Sequence, residues 1–147
     1  MALPPPWTYV ATAEPRDVEM AERIAAHRAR RGPHWRTIEA PRDLVGVLRT
    51  NDAAPVLVDC LTLWLSNLLL AGADIDAEIG KLEETLALTA TSVALVANEV
   101  GYGIVPADAL ARRFRDLQGS LNQRIAARAD RVVLVVAGLP LVVKGSP

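Results

Sequence analysis

Three short runs constrain this chain most: PVLVDC (Pro55 to Cys60), SVALVA (Ser92 to Ala97) and RVVLVVA (Arg131 to Ala137). Each is apolar at nearly every position and ends at a polar residue or a turn. A strand with no water-facing side is buried on both faces, as in parallel sheets sheathed by helices. The intervening stretches fit that reading. Leu61, Trp64, Leu65, Leu68 and Leu69 recur on one helical face, Ile75 to Ala90 is amphipathic, and Pro106 to Ala129 reads as a long helical region broken near Gly119. Upstream, Trp7 to Ala13 (WTYVATA) is rich in aromatic and β-branched residues, and Arg16 to Arg31 predicts a helix through Val18, Ala21, Ile24 and Ala25 with Asp17 as its N-cap. WRTIE (Trp35 to Glu39) alternates as a short strand, and Pro41 to Arg49 predicts a further helix. Strands alternating with helices predict an α/β fold on a mostly parallel sheet, with strands at 7–13, 55–60, 92–97 and 131–137.

At 147 residues and 51% apolar, the chain suffices for one core, so a single domain over residues 1–147 is expected. A net charge of -1 excludes a basic nucleic-acid footprint and a charged disordered tail. The single cysteine, Cys60, can make no internal disulfide, and a reducing, cytoplasmic setting is expected. No membrane span is expected either, because Thr62, Ser66 and Asn67 interrupt the longest apolar stretch, which falls short of the roughly 20 residues a span requires. Trp64, Leu65, Leu68, Leu69 and Leu70 offer more apolar surface than one helix face usually buries, which predicts self-association.

Open parallel sheets bind ligands beyond the carboxyl ends of their strands. Thr12, Asp59 and Asn98-Glu99 stand at those ends. An acid closing an apolar strand, as Asp59 does, either faces a phosphate-bound Mg²⁺ or caps the following helix. The glycine-rich phosphate loop G-x-x-x-x-G-K-S/T is absent from the chain: Lys81 lies within an amphipathic helix and Lys144 precedes Gly145 near the end.

The segments YVATAEPRDVEMAERIAAHRARRGPHWRTIEAP, VLVDCLTLWLSNLL and VANEVGYGIVPADALARRFRDLQGSLNQRIAARADRVVLVVAGLPLVVK together resemble the bifunctional adenosylcobinamide kinase / adenosylcobinamide-phosphate guanylyltransferase family of cobalamin biosynthesis. The likeness runs from about Trp7 to Lys144, and NEVGxGIVP followed by ARRFRDxxGxxNQ is its most specific part. It implies a three-layer, RecA-like P-loop fold and a homotrimer. It also implies phosphorylation of adenosylcobinamide by ATP or GTP, then transfer of GMP from GTP to adenosylcobinamide phosphate through a histidine-GMP intermediate. The family's opening strand, GGARSGKS-like loop and first helix, roughly 30 residues of βα unit, have no counterpart ahead of YVATAE. A mis-assigned start is the simplest account, and a catalytically inactive nucleotide- or corrinoid-binding subunit is the alternative.

Residue by residue, the resemblance implies His27 as the GMP carrier, with Arg28, Ala29, Arg30 and Arg31 beside it on the nucleotide. On the sequence alone, a histidine among arginines on a helix is ordinarily a solvated surface residue, and it is the resemblance that reverses this reading. Ala11, Thr12 and Ala13 would line the nucleotide, and Glu39 would read guanine by accepting from N1-H and the 2-amino group, the other reading being a strand-end acid in water. Asp59 would hold Mg²⁺ directly or through water. Asn98, Glu99, Gly101 and Gly103 would form a substrate loop, the glycines allowing close backbone approach. Arg112, Arg113 and Arg115 face the corrinoid phosphate, a neighbouring subunit or solvent. His34, in GPHW, is read as structural or substrate-facing.

Overall fold

A computed structural model describes residues 3–51 and 54–146, which divide into two compact units, 1–99 and 100–147. The first unit runs β1 (Trp7–Ala11), α1 (Val18–Ala29), β2 (Trp35–Glu39), α2 (Leu44–Thr50), β3 (Val56–Asp59), α3 (Leu61–Leu70), α4 (Ile75–Leu88) and β4 (Val93–Val96). Its strands form one four-stranded sheet in the order β2-β1-β3-β4, and every pairing is parallel. Asp17 caps α1 as expected, accepting from the Met20 amide, while Asp43 and Asp74 cap α2 and α4 in the same way.

Register divides the sheet into two unlike faces. Because successive side chains alternate, Thr8, Val10, Val56 and Val58 share one face, and all four are at most 3% exposed. Tyr9, Ala11, Thr37, Glu39, Leu57 and Asp59 share the other. Side chains from α1 and the residues just after it reach this second face at Thr37, Glu39 and Asp59, which leaves α2, α3 and α4 to cover the first. The expectation that PVLVDC is buried on both faces is therefore corrected: Val56 and Val58 are buried, whereas Leu57 and Asp59 are only partly covered. Leu57 is apolar without being deeply buried, so the run overstated its own burial.

The self-association argument drawn from α3 is corrected as well. Trp64 and Leu65 are fully buried and Leu68 is 5% exposed within the unit, so that face is already occupied and only Leu70 stands well out. The Trp64 indole N–H donates to the Arg42 carbonyl at 2.9 Å, satisfying the one polar group that this burial would otherwise strand.

The second unit contains α5 (Ala109–Arg128), β5 (Val132–Val136) and β6 (Leu139–Lys144). Two expectations fail here. α5 continues through Gly119 without a break, since one glycine costs only about 1 kcal/mol relative to alanine and the rest of this long helix outweighs it. β5 pairs antiparallel with β6 in a separate two-stranded sheet, not with the parallel strands. The turn between them accounts for the antiparallel pairing: Ala137 and Gly138 both take positive φ (51° and 79°), the geometry of a tight two-residue hairpin. Lys144 closes the unit by donating to the carbonyls of Ala126 and Ala127 at the end of α5.

Candidate functional site

The parallel register sets Glu39, Ala11, Asp59 and Val96 level along the carboxyl edge of the sheet. Beyond that edge, Thr12 joins β1 to β3. Its amide donates to the Asp59 carbonyl at 3.1 Å, its hydroxyl donates to the Cys60 carbonyl, and the Cys60 amide donates back to that hydroxyl, each at 2.8 Å. Thr12 is fully buried, so its hydroxyl serves the fold at the position where the sequence suggested a nucleotide contact. Ala11 and Ala13 are part-exposed on either side of it.

His27 lies on the last turn of α1 with its side chain 59% exposed, and its Nδ1 stands 3.8 Å from Asp59 Oδ2. The same carboxylate oxygen accepts the Tyr9 hydroxyl hydrogen. Register explains that reach: Tyr9 lies one two-residue step below the row containing Asp59, about 6.6 Å along the strand, which the length of a phenol side chain spans. Burial first, then the Asp59 hydrogen bond, pushes the Tyr9 phenol well above its ordinary value. Arg31 stacks its guanidinium 3.7 Å from the centre of the Tyr9 ring, donates to the Thr37 hydroxyl at 2.9 Å and donates to the His27 carbonyl at 3.2 Å. Arg28 pairs with Glu39 at 3.0 Å. Between α1 and the end of β2 lies an open groove of about 520 Å³, walled by Pro15, Ala21, Ile24, Ala25 and Ala29 with the Arg28–Glu39 pair at its rim.

His27, Arg28, Arg31, Glu39 and Asp59 thus come together from three separate segments of sequence. Ala29 lines the groove, and Arg30, the C-cap of α1, is exposed. His34 stands at the opposite, amino end of the sheet, its ring edge-on to Trp7 with centroids 6.0 Å apart. Asn98 and Glu99 close the first unit, where the Asn98 amide donates to the Thr62 hydroxyl at 2.8 Å. Gly101 and Gly103 belong to the second unit, and a Cβ at either would meet no protein atom within 4 Å.

Sequence reading passed over Tyr9, which looked like one more strand aromatic, and Asn67. Although buried in α3, Asn67 donates to the carbonyls of Thr12 (2.8 Å) and Pro41 (2.9 Å) and accepts from Arg16 (3.0 Å), tying three loops at the carboxyl edge. Its signal was present: Thr62, Ser66 and Asn67 interrupt an otherwise apolar run, and two of the three, Thr62 and Asn67, hold loops at this edge.

An open parallel sheet places its ligand site beyond the carboxyl ends of its strands, and the histidine–carboxylate pair and two arginines stand there, in an α/β fold of the open parallel class. Comparison with known proteins narrows it: residues 1–143 match the family described as cobinamide kinase / cobinamide phosphate guanyltransferase, CobU, and the chain belongs to that family. It is 49% identical over 144 residues, 95% of this chain and 83% of the relative, to the bifunctional adenosylcobalamin biosynthesis protein CobP of Pseudomonas aeruginosa. It is 44% identical over 154 residues to the CobU protein of the same description from Salmonella typhimurium, and 40% over 153 to that of Escherichia coli, spanning 92% of this chain and 84% of the relative in both cases. The family's proteins are kinase and guanylyltransferase enzymes, and among the described residues no helix is long and apolar enough to cross a membrane.

Proposed function

We propose that this chain performs the guanylyltransferase half-reaction through His27 and takes part in the kinase half-reaction on adenosylcobinamide, in the cytoplasm and as a homotrimer. The observation that carries the first part is the His27–Asp59 pair at the carboxyl edge with Arg28 and Arg31 alongside. The lone pair of His27 attacks the α-phosphorus of GTP, forming an N–P bond as the bond to the bridging oxygen breaks and pyrophosphate leaves with that electron pair. A phosphate oxygen of adenosylcobinamide phosphate then attacks the same phosphorus, the N–P bond breaks, and its electrons return to the imidazole. The N-phosphorylated ring is cationic while its other nitrogen keeps a proton, and the Asp59 carboxylate stabilises that charge.

Were GTP to bind as its Mg²⁺ chelate, Asp59 would hold the cation, directly or through water, and the cation would supply charge neutralisation at the phosphates. The groove beside α1 takes the guanine against its alanine and isoleucine walls, and Glu39 accepts from N1-H and the 2-amino group. That requires Glu39 to leave Arg28, which frees the guanidinium for phosphate oxygens. Ala11 and Ala13, part-exposed on either side of the buried Thr12, flank the nucleotide. Asn98, Glu99, Gly101 and Gly103 form the loop for the corrinoid substrate, with phosphate from ATP or GTP in the kinase step.

The test is incubation with GTP labelled at the α-phosphate. The expected result is acid-labile, alkali-stable label on the protein, lost in His27→Ala and kept in His34→Ala. Label that survives in His27→Ala and disappears in His34→Ala overturns the assignment.

A further inference from the structure

In a neutral imidazole one nitrogen carries hydrogen and the other a lone pair, and the partner of the first decides which is which. The group placed to decide this for His27 is the Asp59 carboxylate, 3.8 Å from Nδ1, and the group that holds the carboxylate is the Tyr9 hydroxyl on the same oxygen. We propose that Tyr9 is a positioning residue: it clamps Asp59 so that the carboxylate receives the Nδ1–H of His27, and Nε2 is left with the lone pair. The link to guanylyl transfer rests on the reading of His27 as the GMP carrier, whereas the clamp itself is a property of the ligand-free chain.

Two observations support it. The phenol is fixed independently of the carboxylate, with Arg31 stacked 3.7 Å above its ring and Trp35 edge-on at 6.1 Å. Arg31 also holds the His27 carbonyl and the Thr37 hydroxyl, so the backbone of the histidine and the ring that orients its carboxylate are referenced to one guanidinium. The 3.8 Å separation is longer than a hydrogen bond, as catalytic contacts often are before the ligand arrives.

The experiment is ¹⁵N NMR of the histidine rings in the ligand-free 147-residue protein, at a pH above the ordinary imidazole range, paired with the rate of His27 labelling by GTP. Wild-type His27 is expected as the Nδ1–H tautomer. Tyr9→Phe, which keeps the ring and removes one oxygen, should move it toward Nε2–H and slow labelling by about tenfold to a hundredfold, the loss typical when a partner that orients an imidazole is removed, with half-saturating GTP unchanged. Asp59→Asn provides a second variant with the same expected tautomer change. Wild-type His27 found as Nε2–H, or Tyr9→Phe leaving both tautomer and rate unchanged, overturns the clamp. An Nδ1–H tautomer that responds to both variants supports the clamp even where no label reaches His27, and in that case the carrier reading alone falls.

Discussion

The two faces of the parallel sheet are built from the same strands yet held by different physics. On one face Thr8, Val10, Val56 and Val58 lie against helices whose own faces are buried, six residues of α3 among them. On the other lies α1, in which no residue is buried. What holds α1 is a set of polar contacts: His27 to Asp59, Arg28 to Glu39, and the Arg31 guanidinium across Tyr9 and Thr37. Apolar burial scales with area and is indifferent to direction, whereas these contacts are directional and weak in water. The first face therefore supplies stability. The second sets the placement of the candidate site's side chains and leaves the helix that carries several of them room to adjust.

The largest effect expected from this contrast is on folding free energy. Trp64→Ala in α3 should destabilise by about 3–5 kcal/mol, the usual cost of emptying so large a buried site, whereas Ile24→Ala in α1 should cost less than about 1 kcal/mol. Urea unfolding of both variants measures the difference, and equal losses would mean that the faces share the load.

Hydrogen exchange gives the next largest. Amides of α1 should exchange on the order of a hundredfold faster than those of α3, because opening α1 exposes little apolar surface. Protection of α1 equal to that of α3 would break the comparison outright.

Alkaline pH acts on the second face through Tyr9. Its phenol is pushed above its ordinary value, by burial first and by Asp59 second, so the folded chain keeps this proton to higher pH than the unfolded chain does. The unfolded chain begins to release it near pH 10, so the contribution is fully present below about that value and is lost as pH rises beyond it. The Cys60 thiol, also pushed up by burial, shifts stability in the same direction. Urea midpoints should begin to fall above about pH 8.5 through Cys60 and fall further above about pH 10 through Tyr9, and Tyr9→Phe should blunt the second part.

The contrast also explains what could be read from sequence. The parallel pairing of the first unit's strands, the N-cap of α1 and the strand-end acids were legible because alternation of strand and helix and the chemistry of caps are local. The resemblance to the family then gathered His27, Glu39 and Asp59 into one site. Tyr9 escaped because its role depends on register with β3, 50 residues away, and a strand sequence carries no mark of the register it will adopt. β6 escaped because Pro140 interrupts its pattern, although the Ala137-Gly138 pair between two apolar runs was a usable turn signal.

The smallest effect expected is at the Arg28–Glu39 pair, and it bears most directly on whether α1 is held or merely oriented. Both side chains are well exposed, 61% and 66%, so water screens their attraction and each gives up rotamer freedom to stay in place. Arg28→Ala should therefore change stability by less than about 1 kcal/mol, and a double-mutant cycle with Glu39→Gln should give a coupling within about 0.2–1 kcal/mol that shrinks as salt is added. Nucleotide choice should respond quite differently. Glu39→Gln replaces one carboxylate oxygen with an N–H₂ group, and that donor would oppose the donors on guanine. Discrimination between GTP and ATP in the labelling reaction should fall accordingly, by about tenfold for each 1.4 kcal/mol lost. A coupling above about 2 kcal/mol would show that the ion pair pins α1 to β2. The exposed helix would then be anchored by charge as firmly as α3 is by burial, and the two faces would differ in means but not in strength.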